Sequence, residues 1–566
     1  MERQFGQLRP SQLLFYHGPG AIVDMLSGSV MIMAADLWDF RSKNVIEDER
    51  VRSSLGVPYL RLLNEDQEKI SVTARPFPKW KVCPRCGMMT EWDTRECYYC
   101  GKENVKIELF PSRFVIACKH GHIRDFPWIE WLHEGEEECK KPILKMTYRG
   151  MAGSLSDMYV QCVKCRKQKS LANIMKFTMD CTGERPWIGD EEQDKEQCKE
   201  QMETVLRGAS KLYTPIVFST LSIPLSDGRE DNLIKKVNRE KHNLLKIKDR
   251  SYEQFKQIAL ILLDITENEL PAVEQILNGE YEQSVSYETI RKQEWNTIIK
   301  KNVDYLEETG FKSVEVEIHE QMKPYFSSIV KIESLPEIQV LRGFTRLHYL
   351  DPFDATEIPF CSIMKNSRST DWLPAVKNLG EGIFFQFNIQ KLLEWENKEN
   401  VKQELSRIFE RYNKRREQLG NSSIYLKVRH ILIHTFSHAM IQEFARFSGY
   451  ATTSLRERLY CSDDMYGVLI YTASSDSEGG LGGLIELSKP EKLYPIFVRA
   501  LEKMEYCSSD PHCSDARFEM QSTVNGAACH ACGFVSETSC EWGNQLLDRR
   551  TLIPLNEGES LAFFQL

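Results

Sequence analysis

At 566 residues, with 42% hydrophobic and 27% charged residues, the chain has ordinary globular composition and exceeds a single core, because one core stops growing near about 250–300 residues. Its formal net charge of -9 excludes a basic footprint over the whole molecule, so any nucleic-acid contact must come from a local patch or through a partner. No apolar run is long enough to span a bilayer, and residues 1–10 are polar with no apolar signal core. The expectation is a cytoplasmic protein, in whose reducing surroundings the 17 cysteines serve as metal ligands or buried thiols rather than disulfides.

The elements predict a mixed α+β, multidomain fold with several small zinc-stapled modules and a helical insertion. Residues 1–80 open with RPSQLLFYHGPGAIVDML, where Gly18, Pro19 and Gly20 force a turn, and VMIMAADLW reads as a buried strand running into a turn. Residues 81–200 hold ten of the 17 cysteines, a density that marks metal-stapled modules. Residues 201–420 form a central mixed domain. In it LYTPIVFSTLSIPL is a β-branched strand, and residues 226–320, with apolar positions at helical spacing in QFKQIALILLDI and IIKKNVDYL, are the helical insertion. GIFFQFN follows as a strand, then a charged helix at Lys402–Arg416. The last segment, 421–566, begins with the apolar helix YLKVRHILIHTFSHAMIQEFARF and continues with the strand VLIYTAS, a glycine cluster and a final set of cysteines.

Four sets of cysteines and histidines have the chemistry of zinc ligands. Cys83, Cys86, Cys97 and Cys100 form two CxxC knuckles ten residues apart, a spacing that places four thiolates at the corners of a tetrahedron. The glycine after each knuckle permits the tight turn. A second, less regular set is Cys118, His122, His133 and Cys139, with His120 competing with His122. A third is Cys162, Cys165, Cys181 and Cys198, in which only the first pair is a knuckle. In the fourth, Cys529 and Cys532 form the knuckle, Cys540 lies beyond it and Cys513 before it, while Cys507 and His512 compete for the last place. Cys361 and Cys461 stand alone and are expected as buried small hydrophobes. Closed sulfur sets are structural, because catalytic zinc keeps an open water position.

Other features point away from catalysis. GGLGGLIEL at 479–487 has no lysine to reach a phosphate, so its glycines are expected to serve a turn or a close backbone approach. His430, His434 and His438 fall at i, i+4 and i+8 of an otherwise apolar helix with no acidic ligand inside the motif, and are expected to pack and bond neighbours. Asp476, Glu478 and Glu486 flank the glycines, where a nuclease could hold magnesium; solvated acids are the expectation. The basic run Lys235, Lys236, Arg239, Lys241, Lys246, Lys248 and Arg250 reads as a solvated helix face.

Taken together, RPSQLLFYHGPGAIVDML, ACKHGHIRDFPWIEWLH, LRGASKLYTPIVFSTLSIP, VLRGFTRL and GEGIFFQF resemble segments of the DrmB family. YTASSDSEGGLGGLIEL and GAACHACGFVSETSCEWGNQLLDR resemble the cysteine-containing domain that ends helicases of the MrfA type. The resemblance runs nearly end to end, the stretch at about 226–320 excepted. It implies an auxiliary subunit without catalytic residues, partnered with a DrmA-like superfamily 2 helicase in the DISARM anti-phage system and meeting DNA mainly through that complex. It also implies zinc on Cys513, Cys529, Cys532 and Cys540, with Cys507 still a rival.

Overall fold

The computed structural model describes residues 6–565, except 27, 41–44, 47–50, 52–53, 64–69, 92–93, 134–138, 150–153, 190–193, 225–235, 238–239, 241–242, 249–250, 264, 267–269, 279–286, 306–308, 348–350, 352, 354–359, 366–370, 473–481, 516–523 and 556–559. The chain divides into two units, each drawn from separated stretches of the sequence. The first comprises residues 1–48, 57–219 and 339–376, and the second residues 49–56, 220–338 and 377–566.

The first unit is built from short antiparallel sheets. Ile22–Met25, Gly28–Ile32 and Ala74–Pro76 form one, and Lys81–Val82, Met89–Thr90 and Phe110–Pro111 another. A four-stranded sheet runs in the order Ile123–Asp125, Phe114–Ala117, Gln201–Leu206, Thr178–Asp180, and a three-stranded one in the order Leu144–Tyr148, Met158–Cys162, Gln168–Ser170. Strands this short bury little apolar surface. The four-stranded sheet and the sheet Leu144–Ser170 share one apolar cluster around Phe114, Ile116, Phe126, Trp128, Trp131, Val160 and Met202. The guanidinium of fully buried Arg346 pins the segment 339–376 to this unit by donating to the carbonyls of Gly121 (2.9 Å), Gly20 (2.6 Å) and Leu212. No water is needed to satisfy those donors.

The second unit has longer elements. The helices expected in the insertion are present at Tyr252–Leu263, Leu270–Asn278 and Tyr287–Ile298, but Lys312–Val316 is a strand, so the helical stretch ends before residue 320. The charged helix spans Glu399–Gln418 and the apolar one Arg429–Ser448. RHILIHTFSHAMIQEFARFS carries apolar residues on every face, the pattern of a buried helix, and His430 through Ile441 are all buried. It ends where Gly449 adopts φ 79°, a left-handed conformation that glycine takes without a Cβ penalty. Beside it Leu455–Cys461 pairs antiparallel with Tyr466–Thr472, which pairs with residues 382–386. Phe436 lies with ring centroids 5.4–5.7 Å from Phe326, Phe385, Phe387 and Phe564. Each such buried ring contributes about 1.5–3 kcal/mol. Among the described residues no helix is long and apolar enough to cross a membrane.

Candidate metal centres

Among the described residues five groups of four donors come together, the donor atoms of each lying within 4.8 Å of one another. The first is the set anticipated from its spacing: Cys83, Cys86, Cys97 and Cys100. Its sulfurs stand 3.7 Å (Cys83 to Cys100) and 3.6 Å (Cys86 to Cys97) apart. A tetrahedron with Zn–S bonds of about 2.3 Å has S···S edges of about 3.8 Å, so the cage has the dimensions of a thiolate zinc site. Gly87 closes the first knuckle at φ +71°, where a Cβ would meet the Met146 carbonyl oxygen at 2.0 Å.

The next two groups correct the sequence grouping. Cys118 and His122 meet Cys181 and Cys198, while His133 and Cys139 meet Cys162 and Cys165. One group is thus nested inside the other along the chain. Strand pairing dictates this. Ala117 pairs with Glu203, and Asp180 with Gln201. Cys118 at the end of one strand, Cys181 at the end of another and Cys198 just before a third therefore share one sheet edge. The hairpin that pairs Ile123 with Ala117 adds His122. In the inner group Leu144 pairs with Cys162, which brings Cys139 beside that knuckle, and His133 ends the helix Trp128–His133.

In the outer group His122 Nδ1 lies 3.3 Å from Cys118 Sγ and 3.4 Å from Cys181 Sγ, while its Nε2 is held 3.1 Å from Glu196. A carboxylate on the far ring nitrogen is how proteins fix a ligating imidazole. His120, the rival, has its Nδ1 3.5 Å from Cys198 Sγ but is not one of the four. In the inner group His133 turns Nε2 to Cys165 (3.4 Å) and Nδ1 to the Ile129 carbonyl (2.9 Å), and Cys139 lies 3.5 Å from Cys162.

The fourth group is Cys507, Cys513, Cys529 and Cys532, with 3.5 Å from Cys507 to Cys529 and 3.7 Å from Cys513 to Cys532. Cys507, not Cys540, completes it. Backbone N–H groups of Ser509 and Ala531 point at the sulfurs, each at 3.4 Å. Cys540 instead lies with His434, His438 and Glu457. All three histidines of that face are buried and bond neighbours, as expected: His430 bonds the Lys427 carbonyl and stacks on Trp542, while His434 and His438 also share the group with Cys540. Glu457 escaped the sequence reading because it arrives from a strand with no motif of its own. Cys461 is buried and Cys361 half-buried, and neither belongs to a group.

The thiols within each sulfur-rich group oppose one another. The Cys181 thiol holds Cys118 down to about 4 against burial, and Cys181 is itself driven up by Cys118. Burial pushes Cys162 up, yet backbone hydrogen bonds at Cys165 and Ile143 bring it to about 6, while burial and then Cys162 raise Cys139 to about 11. Cys513 holds Cys532 at about 5 against burial. Burial and its neighbours lift Cys100 to about 12. Crowded thiols thus share very few negative charges by themselves. A divalent cation reverses that logic and converts every thiol into a ligand. The donors fit a borderline-soft ion such as zinc.

The remaining candidates are otherwise engaged. Glu381 takes the N–H of Leu484 at 2.6 Å and that of Gly482, so the described part of the glycine loop closes on the protein's own carboxylate. Glu486 pairs with Lys489 and Lys492, each at 2.7 Å. Asp476, Glu478, Gly479 and Gly480 lie outside the described residues.

An α+β, multi-unit chain whose cysteines and histidines gather into compact four-donor groups is the class that this geometry defines. Residues 436–533 match the family described as the MrfA Zn-binding domain, a span that holds Cys507, Cys513, Cys529 and Cys532 and stops short of Cys540. Residues 9–214 match a domain of unknown function, DUF8724. The chain is 31% identical over 578 residues to the DISARM protein DrmB of Bacillus paralicheniformis, an alignment covering 96% of this chain and 100% of that relative. The chain belongs to the DrmB family.

Proposed function

We propose that this protein is a zinc-stapled, non-catalytic subunit of a DISARM-type anti-phage system, and that it assists a DrmA-like superfamily 2 helicase in binding or processing DNA. The observation that carries the reading is the end-to-end match to a DISARM protein. The centres add support. Zinc would sit on Cys83, Cys86, Cys97 and Cys100; on Cys118, His122, Cys181 and Cys198; on His133, Cys139, Cys162 and Cys165; and on Cys507, Cys513, Cys529 and Cys532. Four protein donors close a zinc ion, which suits a structural role.

The partner supplies most phosphate contacts in this reading. DNA affinity comes largely from releasing counterions, and a net charge of -9 works against the free chain. Two described lysines of the basic run are committed internally, while Lys246 is exposed. Lys236 donates to the Leu263 carbonyl at 2.8 Å and Lys248 lies over the Phe255 ring. Lys235, Arg239, Lys241 and Arg250 lie outside the described residues.

Coexpression with the helicase subunit, gel filtration, and salt-dependent DNA-binding, ATPase and nuclease assays test the proposal. The expected result is a stable complex that binds DNA more tightly than this chain does, and no ATP hydrolysis or DNA cleavage by this chain alone. Separate elution, or equal DNA affinity of the free chain at the same salt concentration, overturns it. Magnesium-dependent cleavage abolished by Glu486→Gln or Asp476→Asn would establish a nuclease instead.

A further inference from the structure

We infer that His434, His438, Glu457 and Cys540 form a fifth metal site, separate from the four-cysteine group beside it, that takes a divalent first-row transition ion, zinc by the chemistry of its donors. The four come from three elements of the second unit. His434 and His438 stand one turn apart on the helix Arg429–Ser448, Glu457 sits in the strand Leu455–Cys461, and Cys540 follows the cysteine-rich segment.

Each ligand has one atom facing the centre, and His438, Glu457 and Cys540 also have a group fixing them from behind. His434 Nε2 lies 3.1 Å from Cys540 Sγ and 3.2 Å from Glu457 Oε1. His438 bonds the Gly533 carbonyl through Nδ1 at 2.7 Å, which leaves Nε2 pointing inward, 3.6 Å from the same carboxylate oxygen. The Ser437 hydroxyl donates to Glu457 Oε2, so a single carboxylate oxygen faces the ring nitrogens, and the Glu541 N–H steadies that oxygen at 3.0 Å. The Asn544 N–H points at Cys540 Sγ from 3.1 Å. Backing of this kind is what orients metal ligands.

Without an ion the arrangement is costly. Two buried ring nitrogens, His434 Nδ1 and His438 Nε2, have no hydrogen-bond partner among the described residues, and His438 Nε2 is the one that faces the centre; leaving it unpaired costs stability. With a divalent cation all four donors are satisfied. The charges also close: one thiolate and one carboxylate balance the ion, and two neutral imidazoles add nothing, so the buried centre is neutral. Thiolate with imidazole selects zinc over magnesium, calcium or manganese. The imidazole and carboxylate side chains are fully buried and Cys540 is 8% exposed, which leaves no path for substrate; the ion ties helix, strand and C-terminal loop together.

Native mass spectrometry of the full-length chain tests this by difference, independently of whether the other four groups hold zinc. Cys540→Ser is expected to lose one metal ion relative to wild type, with circular dichroism unchanged, while Cys461→Ser loses none. An equal metal count in wild type and folded Cys540→Ser overturns the inference. If Cys540→Ser does not fold, anomalous scattering from wild-type crystals at the zinc edge decides. A peak about 2.0–2.1 Å from His434 Nε2 is expected, and no peak among the four side chains overturns it.

Discussion

The two units carry the same kind of donor group on very different foundations. In the first, three groups sit among strands of two to six residues, and several ligands, among them Cys118, Cys139 and Cys162, are themselves part of the apolar cluster or packed on it. In the second, His434 and His438 lie on a 20-residue helix buried among phenylalanines, while Cys507, Cys513, Cys529 and Cys532 follow the 14-residue helix Pro490–Lys503. The contrast teaches that a bound ion would tie a core of short strands together in the first unit and add to a long-element core in the second.

The largest effect should come from stripping metal. Structural zinc contributes about 10–16 kcal/mol to small metal-folded modules, more than most domains hold in net stability. Chelation should therefore abolish amide-exchange protection in Phe114–Ala117 and Gln201–Leu206 while the helix Arg429–Ser448 stays protected. Equal loss in both, read by hydrogen-exchange mass spectrometry, would break the comparison.

A smaller and sharper effect concerns nesting. Cys181→Ser should open its own group, so that Cys118 and Cys198 become alkylated while Cys139, Cys162 and Cys165 stay protected. Labelling of Cys162 and Cys165 instead would restore the consecutive grouping.

The smallest expected signal is an acid limb in the strand Leu455–Cys461 that depends on Glu294. Burial alone would raise the Glu294 carboxyl, but Arg458 and Arg291 outweigh it and hold it below the usual range. Arg458 Nε donates to it at 2.7 Å, and the Tyr460 hydroxyl and Leu221 N–H donate at 3.1 Å. A depressed carboxylate stabilises the fold above its unfolded value of about 4.3 and loses that contribution as pH falls through the folded value. Exchange in Leu455–Cys461 should accelerate below about pH 4.3, and Glu294→Gln should flatten that dependence. An unchanged slope would remove Glu294 as its source.

Legibility in the sequence followed locality. Cys83 to Cys100 could be read because all four donors lie within one short stretch. The helix Arg429–Ser448 announced itself through its apolar run, and so did the part of the strand Trp372–Phe387 that begins at Gly382. The pairing of Cys118 with Cys181 could not be read, because it is set by antiparallel registers between strands more than 80 residues apart, as Ala117 with Glu203. Glu457 is a single acid between two arginines, and only the packing of its strand on the helix gives it meaning. The spacing of His434 and His438 was visible, but their acidic neighbour comes from outside the motif.

The nested order also sets a timetable for synthesis. Cys118, His122, His133 and Cys139 leave the ribosome first, and they belong half to one group and half to the other. At about 5–20 residues per second, Cys139 precedes Cys162 by roughly 1–5 s and Cys198 by roughly 3–12 s. During that interval the nascent chain displays a complete set of four donors that the finished protein never uses together. Strand pairing must divide that set, and the inner group, whose last ligand is Cys165, is complete before the outer one can be.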